Sequence, residues 1–161
     1  MKIVGITGRS GCGKSSATSF LRAQGYPCVD ADLVAREVLL PGSACIPQLQ
    51  ATFGTDIADE SGEVRRRLLA DRAFATPEGT ARLTAITQPE ILRRIDAALA
   101  DAERTGAKLA FVDGAVIVGT PFEQRCDALI LVTAPYDTSV ARICARDGIC
   151  LLYTSDAADD S

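Results

Sequence analysis

The 161-residue chain contains no histidine. Ser-His-Asp triads, Cys-His dyads and histidine metal sites are therefore excluded together. Acid–base chemistry near neutral pH falls to a carboxylate or a lysine. A basic excess is missing as well: 17 lysines and arginines stand against 21 aspartates and glutamates, for a formal charge of −4. Proteins built on nucleic-acid phosphates carry the opposite balance, so no nucleic-acid partner is expected. No apolar run reaches the ~18 residues of a membrane span, and the amino terminus lacks the apolar centre of a secretory signal. A cytoplasmic protein without a membrane partner is the expectation. The six cysteines, Cys12, Cys28, Cys45, Cys126, Cys144 and Cys150, form no Cys-x-x-Cys pair and read as reduced thiols in core elements. Repeats and low-complexity segments are also lacking before the last dozen residues.

What is present is an ordinary globular composition, 47% apolar and 24% charged, at a length suited to one domain. Residues 2–6 form a short β-branched run that predicts a buried strand, and residues 14–24 predict a helix with Ala17, Phe20 and Leu21 on one face. Tyr26 to Val29 predicts a second strand. A helical pattern then runs from about residue 31 to 105, with breaks at Pro41-Gly42, Gly54 and Thr76-Pro77. Its clearest part is residues 90–103, where Ile91, Leu92, Ile95, Ala98, Leu99 and Ala102 recur at helical spacing. Lys108 to Val112 and Asp127 to Thr133 predict two more strands, and residues 136–146 a last helix. Strands alternating with helices imply an α/β fold with a parallel sheet covered on both faces. The stretch between the second and third strands is too long for a simple crossover. It predicts a helical insertion of residues 31–106 into a core of 1–30 and 107–149.

One segment carries explicit chemistry. Gly8-Arg9-Ser10-Gly11-Cys12-Gly13-Lys14-Ser15 fits G-x-x-x-x-G-K-[ST], placed after a strand and before a helix. Gly8, Gly11 and Gly13 allow a tight turn that aims backbone N–H groups at phosphate oxygens, and the helix start adds its positive dipole end. Lys14 is expected on the β- and γ-phosphates of a nucleoside triphosphate, and the Ser15 hydroxyl on Mg²⁺. The motif is silent about the acceptor.

In an open parallel sheet, ligands lie beyond the carboxyl ends of the strands. Asp30 and Asp32 fall after the second strand and Asp113 after the third. Two apart, Asp30 and Asp32 would point the same way in extended chain. With histidine absent, one of them is the natural acceptor of a substrate hydroxyl proton, and Asp30 can alternatively cap the following helix. Asp113 is placed to hold Mg²⁺ through water. Arg36, the run Arg65-Arg66-Arg67 and Arg93-Arg94 offer cations for a charged acceptor. Arg142 and Arg146, four apart on the last helix, share a face suited to a transferring phosphoryl group.

These residues resemble the dephospho-CoA kinase family between about residues 3 and 149. GITGRSGCGKSS is similar to its phosphate loop, and VDADLVAREVLLPGS to its second signature, a paired-aspartate turn leading into a helix with an arginine and then Pro-Gly. GEVRRRLLADRAFATPE, with Arg66, Leu69 and Phe74, and SVARICARDGI, the start of a lid helix, complete the likeness. Gln88-Pro89 stands where the family usually reads His-Pro before its long helix. In DGAVIVG, Ala115 and Gly119 stand where it has proline and glutamate.

The resemblance implies a P-loop NTPase-type three-layer αβα fold with an inserted helical substrate subdomain and a partial lid. It implies ATP with Mg²⁺ as donor and phosphorylation of the ribose 3′-hydroxyl of dephospho-CoA, the last step of coenzyme A synthesis; separately, a monomer is the expectation. Asp32 would be the base and Lys14 and Arg142 the catalytic cations. Gly8, Gly11, Cys12, Gly13, Lys14, Ser15 and Ser16 would hold ATP, and Ser15 and Asp113 the metal. Asp30, Arg36, Arg66 and Arg146 would meet the acceptor. Another small-molecule or nucleoside monophosphate kinase, or a nucleotide-binding fragment with little turnover, are the alternatives. A GTPase switch would need a guanine-reading Asn-Lys-x-Asp, which the chain lacks. Residues 150–161 resemble the translated end of a sequencing adapter and are expected to be non-native, on a chain cut short after Ile149.

Overall fold

A computed structural model of the chain describes residues 1–114 and 117–148. Ala115, Ile149 and the proposed non-native tail lie outside them. Contacts divide the chain into one unit of residues 1–30 with 102 onward, and a second of Ala31–Asp101.

The first unit holds a sheet of β1 (Lys2–Gly8), β2 (Cys28–Asp30), β3 (Leu109–Asp113) and β4 (Ala128–Val132), in the order β2-β3-β1-β4. Every pairing is parallel. Helices α1 (Lys14–Ala23) and α6 (Tyr136–Asp147) follow β1 and β4. The register sets Ile6 beside Asp113, Asp113 beside Asp30, and Gly8 beside Val132. All four carboxyl ends therefore share one edge, where ligands of such sheets collect. Ala110 and Val112 of β3 are wholly buried and Ile6 of β1 nearly so, as an interior strand pair requires. Tyr26 sets its ring edge-on to Phe111, with centroids 5.6 Å apart. The Asp127 carboxylate accepts from the Ile3 N–H and from Lys2 Nζ, each at 2.8 Å, and so fixes the entry to β4.

Two expectations need correction in this unit. Among the described residues the sheet is not covered everywhere: Leu131 of β4 is 67% exposed, and Leu129 and Ile130 are exposed too. The α1 face is also different, since Phe20 is exposed while Thr18 is buried. Apolar spacing alone placed Phe20 inward; the inward position is held by a residue with a polar task, described below.

The second unit contains α2 (Ala31–Glu37), α3 (Cys45–Phe53) and α4 (Arg66–Ala73). It also holds most of α5 (Pro77–Arg104). Val38, Leu49 and Ile57 are fully buried at the centre of its core, with Cys45, Ile46, Val64 and Leu69 around them. The helix breaks fall where sequence places them, at Pro41-Gly42, Gly54 and Thr76-Pro77. Thr76 Oγ1 accepts from the Gly79 N–H at 3.0 Å, and Pro77 then opens α5 at a position where its missing N–H costs nothing. The long helix therefore begins well before residue 90, and Pro89 lies inside it rather than ahead of it. Proline forfeits one backbone bond there. One turn of compensation follows, in which the Glu90 carboxylate accepts from Arg93 and Arg94 at 2.7 and 2.9 Å.

The five described cysteines are free thiols, as their spacing suggests; Cys12 and Cys45 are buried and the other three half-buried. Burial pushes the Cys28 and Cys126 thiols above their ordinary range. Among the described residues no helix is long and apolar enough to cross a membrane.

Candidate active site

Between β1 and α1 the chain makes its glycine loop, and the structure shows why each glycine stands there. A Cβ on Gly8 would lie 2.5 Å from the Val132 carbonyl oxygen and 2.7 Å from Cys12 Sγ. One on Gly11 would come within 2.4 Å of the Ser139 carbonyl oxygen, and Gly11 has φ +76°. Gly13 is left-handed, at φ +98°, where it caps α1. Only glycine takes these positions without strain. Cys12, 5% exposed, lies beneath the loop, and its N–H donates to the Arg9 carbonyl at 3.2 Å. The first turn of α1 contains no acid, so nothing on the helix itself neutralises its positive end.

Helix α6 lies against this loop. Arg142 Nη1 donates to the Gly11 carbonyl at 3.3 Å, and Arg146 Nη2 to Ser10 Oγ at 3.4 Å. The spacing of four thus brings both guanidinium groups to the phosphate loop. Arg146 is also held by Asp147 at 2.7 and 2.9 Å, an exposed pair that keeps its charge close to the helix surface.

Lys14, the first residue of α1, reaches across to the end of β3 and pairs with Asp113 Oδ1. The other carboxylate oxygen, Oδ2, accepts from Thr18 Oγ1 at 2.8 Å. The Lys14 and Asp113 side chains are 16% and 6% exposed, so this pair is largely out of water. Ser15 and Ser16 follow on the exposed side of the helix. Thr18 is the residue that sequence reasoning missed. The available signal was its spacing: four after Lys14, it occupies the same helical face.

Asp30 ends β2, in register with Asp113, and Asp32 sits in the first turn of α2. The expectation that both point the same way is therefore wrong, because helix begins at Ala31 and the strand's alternation stops before Asp32. Asp32 belongs to the second unit with Arg36, one helical turn later. There Arg66 Nη2 donates to the Arg36 carbonyl at 3.5 Å, bringing those two residues together, both exposed. Arg93 and Arg94 are engaged by Glu90, and Arg72 holds Asp56 through two bonds of 2.6 and 2.7 Å. Gly119 makes a turn at φ +81°, and its N–H donates to Glu123 Oε2 at 2.6 Å. A cleft lined by Gly119, Pro121, Glu123 and Leu129 lies where β4 begins, at the sheet end opposite the loop.

Among the described residues no three histidine, cysteine or acidic side chains cluster as a metal cage. The oxygens of Ser15 and Asp113 suit Mg²⁺, a hard cation that commonly takes one or two protein oxygens and completes its shell with phosphates and water.

A parallel sheet whose first strand runs through G-x-x-x-x-G-K-S into a helix defines a P-loop nucleotide-binding protein of the α/β class. Comparison with known proteins narrows this. The chain belongs to the dephospho-CoA kinase family, whose sequence profile matches residues 2–155. It is 36% identical to dephospho-CoA kinase of Anaeromyxobacter dehalogenans over 149 residues, 92% of this chain and 71% of that one. It is 37% identical to the enzyme of Geobacter metallireducens, covering 92% and 74%. The crystal structure of TT1252 from Thermus thermophilus superimposes with a TM-score of 0.79 at 31% identity, over 97% of this chain and 79% of that one. Dephospho-CoA kinase from Campylobacter jejuni shares the fold at TM-score 0.61 and 20% identity, over 98% and 78% of the two chains.

Proposed function

We propose that the residues singled out above divide the family's reaction between them. The chain catalyses ATP-dependent phosphorylation of dephospho-CoA to coenzyme A. In the step we infer, the ribose 3′-oxygen attacks the γ-phosphorus, the bond to the β–γ bridging oxygen breaks, and ADP departs. The hydroxyl proton passes to the Asp32 carboxylate, as the lack of histidine requires of some acid. The loop from Gly8 to Gly13, with Cys12 beneath it, presents backbone N–H groups to the phosphates. Lys14, Ser15 and Ser16 complete that cradle. Lys14 leaves Asp113 to neutralise the β- and γ-oxygens, and Arg142 offsets charge on the transferring group.

Ser15 and Asp113 would hold Mg²⁺. When bound, the ion draws charge from the phosphate oxygens and lowers the repulsion that the incoming hydroxyl meets. Asp30, Arg36, Arg66 and Arg146 are assigned to the acceptor, whose own phosphates need cations that an acidic chain must concentrate locally. The enzyme is proposed to act as a cytoplasmic monomer without nucleic acid.

The observation that carries this reading is the convergence of Lys14, Arg142 and Arg146 on one loop and on the strand end beside it. Two arginines on the glycine loop and a lysine beside it, at the strand end, form the cationic surround that a polyphosphate needs. Substitution Asp32→Asn tests the base. Transfer to dephospho-CoA should fall by roughly 10²–10⁴, with ATP affinity within about twofold of the parent. Turnover near the parent rate would remove Asp32 from the mechanism.

A further inference from the structure

Thr18 is 2% exposed in the middle of α1, a position where alanine would favour the helix and a buried hydroxyl needs a partner. Its Oγ1 lies 3.0 Å from the Lys14 carbonyl, the ordinary back-bond of a helical threonine. It also lies 2.8 Å from Asp113 Oδ2. The hydroxyl has one proton and faces two acceptors. The carboxylate, shorter in distance and charged, takes it. Among the described residues, the side-chain partners of Asp113 are Lys14 and Thr18.

Those two partners have different fates. Lys14 is wanted by the triphosphate, whereas Thr18 is fixed in the body of α1, and its one alternative acceptor, the Lys14 carbonyl, is neutral. When Lys14 departs, a carboxylate that is 6% exposed retains one fixed donor. We propose that Thr18 is a positioning residue for Asp113, holding its carboxylate in place through the exchange of Lys14 from Asp113 to the nucleotide. The proposal rests on the assignment of Asp113 to Mg²⁺ and adds a group that touches neither nucleotide nor metal.

The test compares the affinity of the chain for ATP with and without Mg²⁺, read by equilibrium titration in the parent, Thr18→Val, Thr18→Ser and Asp113→Asn. Valine keeps the shape and removes the donor; serine keeps the donor. Thr18→Val should lose roughly tenfold of the Mg²⁺-dependent gain in ATP affinity, as expected for a hydrogen bond to a charged group. Its Mg²⁺-free affinity should stay within about twofold of the parent, and Thr18→Ser should recover most of the loss. If Thr18→Val folds poorly, Thr18→Ala, a better helix former, takes its place with the same expectation. Equal loss with and without Mg²⁺ would show a loop anchor only and would overturn the proposal. So would a full Mg²⁺-dependent gain in Thr18→Val. Asp113→Asn separates the two levels. If it too retains the gain, the metal assignment itself fails; if it loses the gain while Thr18→Val retains it, the role of Thr18 alone fails.

Discussion

Replacing Lys14 by methionine should destabilise the fold, although we propose that this lysine serves the nucleotide. The side chain fills the space between α1 and the end of β3, so methionine conserves most of its volume. What is lost is the cation facing Asp113, whose side chain is 6% exposed. Removing one partner of a buried pair typically costs about 3–5 kcal/mol, because the other charge stays behind without compensation. Two features reduce the figure here: Thr18 still donates to Oδ2, and the Lys14 position is 16% open to water. About 2–3 kcal/mol is the resulting expectation. Lys14→Met together with Asp113→Asn should recover most of it, since the amide carries no charge and Thr18 can still reach its oxygen. Urea unfolding of the parent, both single variants and the double variant closes the cycle and yields the coupling energy directly. All three variants should transfer phosphate at least ~10³ more slowly than the parent, which keeps the stability readout independent of activity. A Lys14→Met chain within about 0.5 kcal/mol of the parent would refute the reasoning. It would mean that the pair is as weak as an exposed one.

Two further perturbations test other parts of the molecule. Glu90 is held down to about pKa 2 from 4.5, first by its bond to Arg93 and then by that to Arg94. A lowered carboxylate contributes stability that is whole above its unfolded value of 4.5 and disappears as pH falls toward 2. Glu90→Gln should therefore flatten the fall in melting temperature on acidification below pH ~4.5, and parallel profiles for the two chains would contradict this. Gly79 poses a question of sign: helix propensity predicts that alanine stabilises α5 by up to ~1 kcal/mol. Its Cβ would lie 2.5 Å from the Ala73 carbonyl oxygen, backbone that cannot swing aside. Gly79→Ala should cost about 1–3 kcal/mol in urea unfolding, and any gain would show that the α4–α5 turn yields.

The glycine loop was legible because its requirements are local. Gly8, Gly11 and Gly13 are needed wherever a strand must turn within a few residues and leave room for a helix passing over it, and such needs are written in consecutive positions. The α6 arginines were legible for a similar reason, since a spacing of four fixes a common face before anything is known of what lies beneath. The parallel sheet followed from alternating strands and helices, but the order β2-β3-β1-β4 did not. Strand order depends on which apolar surfaces meet, and several orders satisfy the same alternation.

Failures came where a local pattern met a long-range partner. Phe20 counted as a core residue on spacing, yet the inward place on α1 goes to Thr18 because Asp113, 95 positions away, needs a donor. Asp30 and Asp32 counted as an aligned pair on strand geometry, yet helix starts between them. Gln88-Pro89 stands where the family reads His-Pro before its long helix, yet α5 passes through Pro89, with Thr76 and Pro77 already supplying its beginning. For Thr18 a polar interaction that periodicity cannot register decided the outcome. Strand β4, with its ALILV, would be read as an interior strand on composition. Among the described residues it stands last in the strand order, and its leucines are exposed. Apolar pattern thus located the elements of this fold, and the polar contact between Thr18 and Asp113 was what departed from it.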